Sequence, residues 1–379
     1  MVRGDIMKVS VITMHSIRNY GSVLQTYATQ ENLKALGLEV EFVDYYRKDS
    51  INPKASVEDN LAVNSKWNKN FITREVFRAI KTPIHRKQFQ VFGSFLSKYI
   101  KLTPKKYYSN EEIKQELPIA DCYCTGSDQL WNSTYNRGIE ESYFLDYVPE
   151  GSKCFSYSTS IGKERLNKKE SKEIYKRLLK FSHLSVREES AKEILLELGF
   201  KDCVHVLDPT FMLSIEKWKK IMAPRIISEK YVLIYQLNKN KTFDLYAEKF
   251  AEKHGLKLYR IDTTRERIIS PGKSIYLPSV EEFISLFYYS EYIITDSFHG
   301  TAFCISFAKN FSVIYPEKFS TRLESILKLT NLENRVVSDW NDYDVYNNPI
   351  DYVPVNRVIN EEREKTNLFV ENVLSSLKS

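Results

Sequence analysis

Residues 292–303 read Tyr-Ile-Ile-Thr-Asp-Ser-Phe-His-Gly-Thr-Ala-Phe and place one histidine, His299, where an apolar strand gives way to an apolar helix. The first amides of such a helix have no partner within it and point at whatever sits at the strand's end, which suits an anion. Ser297, Gly300 and Thr301 surround the imidazole with small or hydroxylic groups that allow close approach of a ligand. The helix dipole disfavours an imidazolium here, whereas a bound phosphate or carboxylate favours it, so a ligand anion would turn His299 into a general acid. The plainer alternative is a histidine that only caps or packs.

Arg187 precedes the acid pair Glu188 and Glu189. A guanidinium there either forms a structural ion pair or clamps a ligand carboxylate or phosphate with its fork. Asp128, behind Gly126 and Ser127, either makes an Asx turn or cap or accepts a proton from a hydroxyl. Asn19-Tyr20-Gly21-Ser22 offers a glycine turn and open amides at the first helix. Asp44 stands where a ribose-binding acid would, but Gly21 is alone in a turn where a dinucleotide fingerprint needs three glycines. Dinucleotide binding is therefore not expected, and no P-loop, G-x-S-x-G or H-E-x-x-H pattern occurs.

All these groups close strands. Residues 9–14 form an apolar run that leads through a polar loop to a helix with Leu24, Tyr27, Ala28, Leu33 and Leu36, stopped at Gly37, and residues 40–43 make the next strand. That is a βαβ unit of a parallel sheet. Strands at 122–125, 155–159, 184–186 and 204–207 end in Gly126-Ser127-Asp128, Ser160-Ile161-Gly162, Arg187-Glu188 and Asp208-Pro209. Ligands of open parallel sheets bind outside the strands' carboxyl ends, so these tails are expected along one edge.

Asp208-Pro209 is the expected hinge. Beyond it strands at 231–235, 257–261, 292–295 and 311–315 alternate with helices at 242–254, 280–289 and 298–308. The expected architecture is α/β, with two Rossmann-like domains facing across a cleft. The first spans residues 1–208 with a helical insertion or flap at about 50–115, and the second spans 209–345. A tail, 346–379, ends in a helix at roughly 360–378 that packs back across the hinge. The insertion interleaves Arg74, Phe77, Arg78, Lys81, Arg86, Phe89, Phe92 and Phe95. It is either an ordinary amphipathic face or a lid for an acceptor or a membrane surface.

With 379 residues, 42% of them apolar and 27% charged, the chain can build more than one core. Its formal charge of +6 is spread rather than gathered into a run, which argues against a dedicated nucleic-acid binder. No stretch of about 18 uncharged apolar residues and no signal-peptide core is present. The expected location is the cytosol, either free or at the inner face of a membrane. Met7-Lys8 opens the first strand directly, so residues 1–6 are expected to carry no function. Cys122, Cys124, Cys154, Cys203 and Cys304 read as reduced core thiols without zinc-site spacing, and no metal is expected.

Six motifs in order, Asn19-Tyr20-Gly21-Ser22-Val23-Leu24-Gln25, Gly126-Ser127-Asp128-Gln129-Leu130-Trp131, Ser160-Ile161-Gly162, Ser185-Val186-Arg187-Glu188, Leu207-Asp208-Pro209-Thr210 and Asp296-Ser297-Phe298-His299-Gly300-Thr301, resemble the polysaccharide pyruvyl transferase family over residues 8–335. The resemblance implies a two-domain fold like that of the GT-B glycosyltransferases. It implies transfer of the enolpyruvyl unit of phosphoenolpyruvate, a donor substrate rather than a cofactor, to a sugar. The product would be a pyruvate ketal on a bacterial surface glycan or its lipid-linked precursor. His299 would be the general acid or stabilise departing phosphate, Arg187 would bind the donor, and Asp128 would orient or deprotonate the acceptor. Asn19, Tyr20, Ser127, Ser297 and Thr301 would line the substrates, with amides near Gly21 and Gly300 completing an anion cradle. Some members carry Arg-Leu before the histidine, where this chain has Ser297-Phe298. Arg322 is the candidate substitute cation, with Lys309 and Lys318 behind it. The rival expectations are a glycosyltransferase using a nucleotide sugar and a non-catalytic glycan-binding protein.

Overall fold

Apolar runs alternating with amphipathic helices build two parallel sheets. The computed structural model describes residues 6–265, 270–317 and 320–378. Residues 1–5 and Lys318, named above, lie outside the described residues. The first half runs β1 (Lys8–Ile12), α1 (Tyr20–Ala35), β2 (Glu39–Tyr45), α2 (Pro53–Val63), α3 (Phe71–Tyr99), β3 (Leu102–Tyr107), α4 (Asn110–Gln115), β4 (Cys122–Thr125) and β5 (Cys154–Ser156), in sheet order β3-β2-β1-β4-β5. After α5 (Lys168–Leu178), β6 (Ser185–Val186) and α6 (Glu189–Glu197) comes β7 (Val204–His205), which pairs with β6. Bridges from Phe155 to His183 and from Thr159 to Val186 carry that pair onto the edge of the first sheet.

Following α7 (Ile215–Lys219), the second half runs β8 (Tyr231–Tyr235), α8 (Lys241–Lys253), β9 (Lys257–Asp262), β10 (Lys273–Tyr276), α9 (Val280–Tyr289), β11 (Tyr292–Thr295), α10 (Phe298–Ser306), β12 (Asn310–Val313) and α11 (Thr321–Leu329). Its sheet order, β10-β9-β8-β11-β12, repeats that of the first. In each sheet the order reverses between the first and fourth strands, and such a switch point leaves a crevice at the carboxyl edge. The start of α1 after β1, the loop after β4 and the start of α10 after β11 carry Gly21, Asp128 and His299.

The stretch expected as a helical insertion is interrupted after Tyr99: residues 102–107 are β3, an edge strand paired parallel with β2, and the short helix α4 follows it. Its Pro104, Lys105 and Lys106 disguise a strand, because proline and lysine are tolerated where one side of the ladder faces solvent. The last helix, α12 (Tyr352–Lys378), starts eight residues before the expected 360, since Pro354 falls in its first turn, where the missing N–H costs nothing. It begins on the second half, where the Tyr352 hydroxyl donates to the Lys309 carbonyl at 2.6 Å. It ends on the first, where Lys153 donates to the Leu377 carbonyl.

One apolar core runs through both halves. Tyr20 stacks on Phe283 with ring centres 4.3 Å apart, and its hydroxyl donates to the Pro278 carbonyl at 2.6 Å. The expected hinge is a 3-10 turn, Pro209–Phe211, packed under α1 and α10, and Arg363 of α12 donates to the Phe211 carbonyl at 2.6 Å. All five cysteines are free and buried.

Candidate active site

Four strand ends and one helix start meet in a buried charged cluster. Arg187, following β6, has its side chain wholly out of solvent and donates to Asp208 Oδ2 at 2.6 Å and to Asp128 Oδ1 at 3.1 Å. Ser127 Oγ donates to the same Asp208 oxygen at 3.0 Å, and Ser22 Oγ donates to Asp128 Oδ2 at 2.8 Å. Asp208 uses its other oxygen to accept from the Thr210 amide and hydroxyl. Glu188 accepts through Oε1 from Ser160 Oγ and the amides of Ile161 and Gly162, so it holds the loop after β5, while its Oε2 has no hydrogen-bond partner.

Asp128 sits at φ +86°, a conformation that costs a side-chain-bearing residue on the order of 1–3 kcal/mol unless its surroundings hold it. Burial alone would raise its carboxyl, but the charges of Arg187, His299 and Arg322 outweigh that and keep it at about 2. Burial likewise opposes ionisation of Asp208, and Arg187 again leaves it below the usual carboxylate range. Both are carboxylates at neutral pH. A carboxyl held at about 2 orients a hydroxyl well and takes its proton poorly.

His299 occupies the second position of α10, whose cap is Ser297: Ser297 Oγ accepts from the Gly300 amide at 3.2 Å. Burial pushes the imidazole down to about 4 against the opposing pull of Asp208 and Asp128, so it is neutral at pH 7. Its Nε2 is buried without a hydrogen-bond partner, and the nearest carboxylate oxygen, Asp208 Oδ2, lies 3.9 Å away. Its Nδ1 edge lies against Gly21, where a β-carbon would stand 2.1 Å from Nδ1. Gly21 is therefore a seat for the histidine, and its amide is taken by the Asn19 cap at 2.8 Å.

Ser297 and Phe298 stand where some members of the resembled family carry Arg-Leu. The Phe298 ring has two guanidiniums near it, Arg187 at 4.9 Å and Arg322 of α11 at 5.6 Å from its centre. Arg322 is the cation this chain brings to His299. Among the described residues it has no ion pair, and its Nε is buried without a hydrogen-bond partner. Burial and the neighbouring Arg187 charge lower its guanidinium to about 10. Lys309 does not reach the cluster: it precedes β12, at the amino end of the strand, and its ammonium lies over Tyr288.

The structure thus gathers His299, Arg187, Asp128, Ser127 and Arg322. Other expected contacts have local tasks. Asn19 and Ser297 are caps, Tyr20 joins the two halves, and Gly300 is small because a β-carbon would meet Thr295 Oγ1 at 2.4 Å. The cradle amides of Gly21 and Gly300 are both spent on those caps. Thr301, two residues after His299, lies about 200° round the helix and is fully buried, with no hydrogen-bond partner for its hydroxyl among the described residues. Asp208, Ser22 and Phe298 were not anticipated as site residues. Asp208 was expected along that sheet edge, beside the hinge, but without a role in the site.

Tyr135 neighbours both the charged cluster and a cavity. Burial raises its phenol to about 12, and it feels the charges of Asp128 and Arg322 as well as those of Arg47 and Asp49. It also lines a cavity of about 1400 Å3 walled by Arg18, Arg47 and Arg137 of the first half, Trp67 and Lys87 of the α2–α3 segment, and Arg265 of the second half. Arg47 and Arg137 are paired with Asp49 and Asp59. Arg18 donates to Ser56 Oγ at 2.7 Å, lies 4.3 Å over the Phe89 ring, and keeps Nη1 buried without a partner; burial lowers it to about 10. Among the described residues no set of three His, Cys, Asp or Glu side chains is arranged to hold a metal ion.

The sequence profile of the family described as polysaccharide pyruvyl transferase matches residues 19–318. No curated protein matches the sequence. Among solved structures, the chain is similar to the UDP-GlcNAc 2-epimerase of Methanocaldococcus jannaschii in complex with UDP-GlcNAc and UDP, at 14% identity and a TM-score of 0.51, over 98% of this chain and 100% of that one. It is similar to Arabidopsis thaliana UGT89C1 complexed with UDP-L-rhamnose, at 9% identity and a TM-score of 0.52, over 99% and 100%. The S. aureus MnaA-UDP structure follows at 13% identity and a TM-score of 0.50, over 96% and 97%. At these identities the likeness concerns the fold, which is GT-B-like with two Rossmann-like sheets.

Proposed function

The chain belongs to the polysaccharide pyruvyl transferase family, and from that premise we propose that it moves the enolpyruvyl unit of phosphoenolpyruvate onto a sugar of a bacterial surface glycan or its lipid-linked precursor, forming a pyruvate ketal. The observation that carries the reading is a buried imidazole that among the described residues lacks a hydrogen-bond partner at Nε2, near a guanidinium, Arg322, that among the same residues has no ion pair. Such a pair is poised for an anion, and the anion's charge would supply what burial withholds from His299.

In this account the donor lies between His299 and Arg322, at the end of the cavity marked by Tyr135, and the acceptor sugar occupies the cavity. An anionic donor raises the imidazole toward protonation, with Asp208 supporting the charge. His299 then protonates the methylene carbon, the central carbon becomes electrophilic, and an acceptor hydroxyl adds to it. Phosphate leaves, aided by Arg322, and a second hydroxyl of the sugar closes the ketal. One hydroxyl proton replaces the proton delivered to the methyl group, and the other leaves with phosphate. Asp128 orients the acceptor hydroxyl, as its low basicity suits it to do. Arg187, already committed to two carboxylates, keeps that array rigid and has little charge to spare for the donor.

The test is to incubate the protein with phosphoenolpyruvate and, separately, with UDP- and GDP-sugars, over a panel of free and lipid-linked oligosaccharides, and to weigh the glycans. A mass gain of one pyruvate less one water, with phosphate released, supports the proposal. Transfer of a sugar with nucleotide release would sink it.

A further inference from the structure

The α2–α3 hairpin presents an unusual surface at its tip. Of the sixteen large apolar side chains exposed among the described residues, five fall between residues 63 and 80: Val63, Phe71, Ile72, Val76 and Ile80. Phe71 and Ile72 are 69% and 72% exposed and open α3 at the tip of the hairpin. Ile72, Val76 and Ile80 follow at i, i+4 and i+8, which lines them along one face of the helix. These residues are not needed to hold the hairpin together. A separate small core of Val57, Leu61 and Phe77, with Trp67 packed on it, already does so. An exposed contiguous apolar patch on an otherwise charged surface marks a contact site.

Charge decides which contact. Between residues 64 and 82 stand five cations, Lys66, Lys69, Arg74, Arg78 and Lys81, and one acid, Glu75, which bonds to Arg78 at 2.5 Å. Apolar side chains at a tip, ringed by lysine and arginine, match an anionic bilayer, where the rings and branched chains enter the acyl boundary and the cations meet the headgroups. A second copy of this chain would bring like charges together at the same patch. Among the described residues no helix is long and apolar enough to cross a membrane, so the attachment is peripheral. The same hairpin gives Val63, Lys66, Trp67 and Ile80 to the wall of the large cavity, so docking would set the cavity mouth at the lipid surface.

We propose that the tip of the α2–α3 hairpin, through Phe71, Ile72 and Val76 with Lys66, Lys69 and Arg74, docks the protein on an anionic lipid surface. The surface stands apart from the charged cluster, so the inference holds whichever reaction that cluster performs.

The experiment is co-sedimentation of the full-length protein with vesicles of phosphatidylcholine alone and of phosphatidylcholine with phosphatidylglycerol. The wild type is expected to sediment with the anionic vesicles, less so as salt is raised, and to stay in solution with the neutral ones. The double substitution Phe71→Ser/Ile72→Ser should weaken binding at least about tenfold. Lys66→Glu/Lys69→Glu should weaken it by roughly fivefold or more for each charge. Sedimentation velocity without lipid checks folding and association, and an unchanged sedimentation coefficient in all variants completes the supporting result. Failure of the wild type to bind anionic vesicles overturns the proposal. So does equal binding by the serine variant, or a dimer of the wild type that this variant abolishes.

Discussion

Replacing Gly21 with alanine sets one methyl group against the imidazole of His299. The new carbon would lie 2.1 Å from Nδ1, 2.5 Å from Cγ and 2.8 Å from Cε1, all closer than carbon atoms approach ring atoms. The ring cannot slip far: Asp208 and Arg187 lie beyond Nε2, and the cap at Ser297 fixes the start of α10. Overpacking of this kind costs about 1–3 kcal/mol, and the helical preference of alanine over glycine in α1 returns roughly 0.5–1 kcal/mol. Net destabilisation should therefore be about 2.5 kcal/mol at most, small enough to leave the protein folded. Activity should suffer more, because displacing a reacting group by about 1 Å costs on the order of a hundredfold in rate. Urea denaturation and the initial rate of pyruvyl transfer give the two quantities. Gly93→Ala is the matched control: it also lies inside a helix, its added carbon meets nothing within 4 Å, and it should gain roughly 0.5–1 kcal/mol with no change in rate. Combining Gly21→Ala with His299→Ala should recover most of the lost stability, since the three atoms nearest the added carbon all belong to His299. A Gly21→Ala protein that is fully active, or a double variant whose effects simply add, would refute the seat assigned to Gly21.

Removing Arg187 as Arg187→Met strands Asp208 and Asp128 as buried carboxylates and should cost ~3–5 kcal/mol by urea denaturation; a loss below about 1 kcal/mol would contradict its structural role. Arg322→Met breaks no ion pair among the described residues, so stability should stay within about 1 kcal/mol of wild type. The KM for the donor should nevertheless rise roughly 10–150-fold, the worth of a charged hydrogen bond, and an unchanged KM would remove Arg322 from the donor site. His299 ionises at about 4 when folded and near 6.5 when unfolded, so the unfolded chain takes up the extra proton between those values. Its share of stability is intact above about 6.5 and falls as pH drops, by ~3 kcal/mol by pH 4. His85, which burial also lowers to about 4, adds a parallel share. His299→Gln should flatten the slope of stability against pH between 4 and 6.5 and leave the His85 part; an unaltered slope would mean that His299 is not so depressed.

Much of the cluster was legible in the sequence, because parallel strands deliver their last residues to one edge. Asp128, Arg187 and His299 each follow an apolar run, and the strand register brings those runs side by side. Partners were harder to read. Tyr20 opens a helix beside a glycine, and nothing in its neighbours distinguishes a ligand contact from the seam between two sheets 258 residues apart. Gly21 and Gly300 were read as room for a ligand, whereas each makes room for a side chain, His299 and Thr295. Arg187 illustrates a limit of pattern reading, since its two carboxylate partners come from other strand ends and only the fold shows that its charge is already used. β3 was hidden by edge-strand lysines and a proline. Lys309 was misplaced for a reason available in the sequence: it precedes its strand, and so stands at the sheet edge away from His299.

The central claim is that His299 and Arg322 form the seat of phosphoenolpyruvate. Calorimetric titration of the wild type, Arg322→Met, His299→Gln and Gly93→Ala with phosphoenolpyruvate, and of the wild type with a UDP-sugar, tests it most directly. The account predicts one donor bound per chain by the wild type and Gly93→Ala, at least about tenfold weaker binding by the other two, and no comparable binding of the nucleotide sugar. Equal affinity in all four proteins, or binding of the UDP-sugar in place of phosphoenolpyruvate, would contradict it.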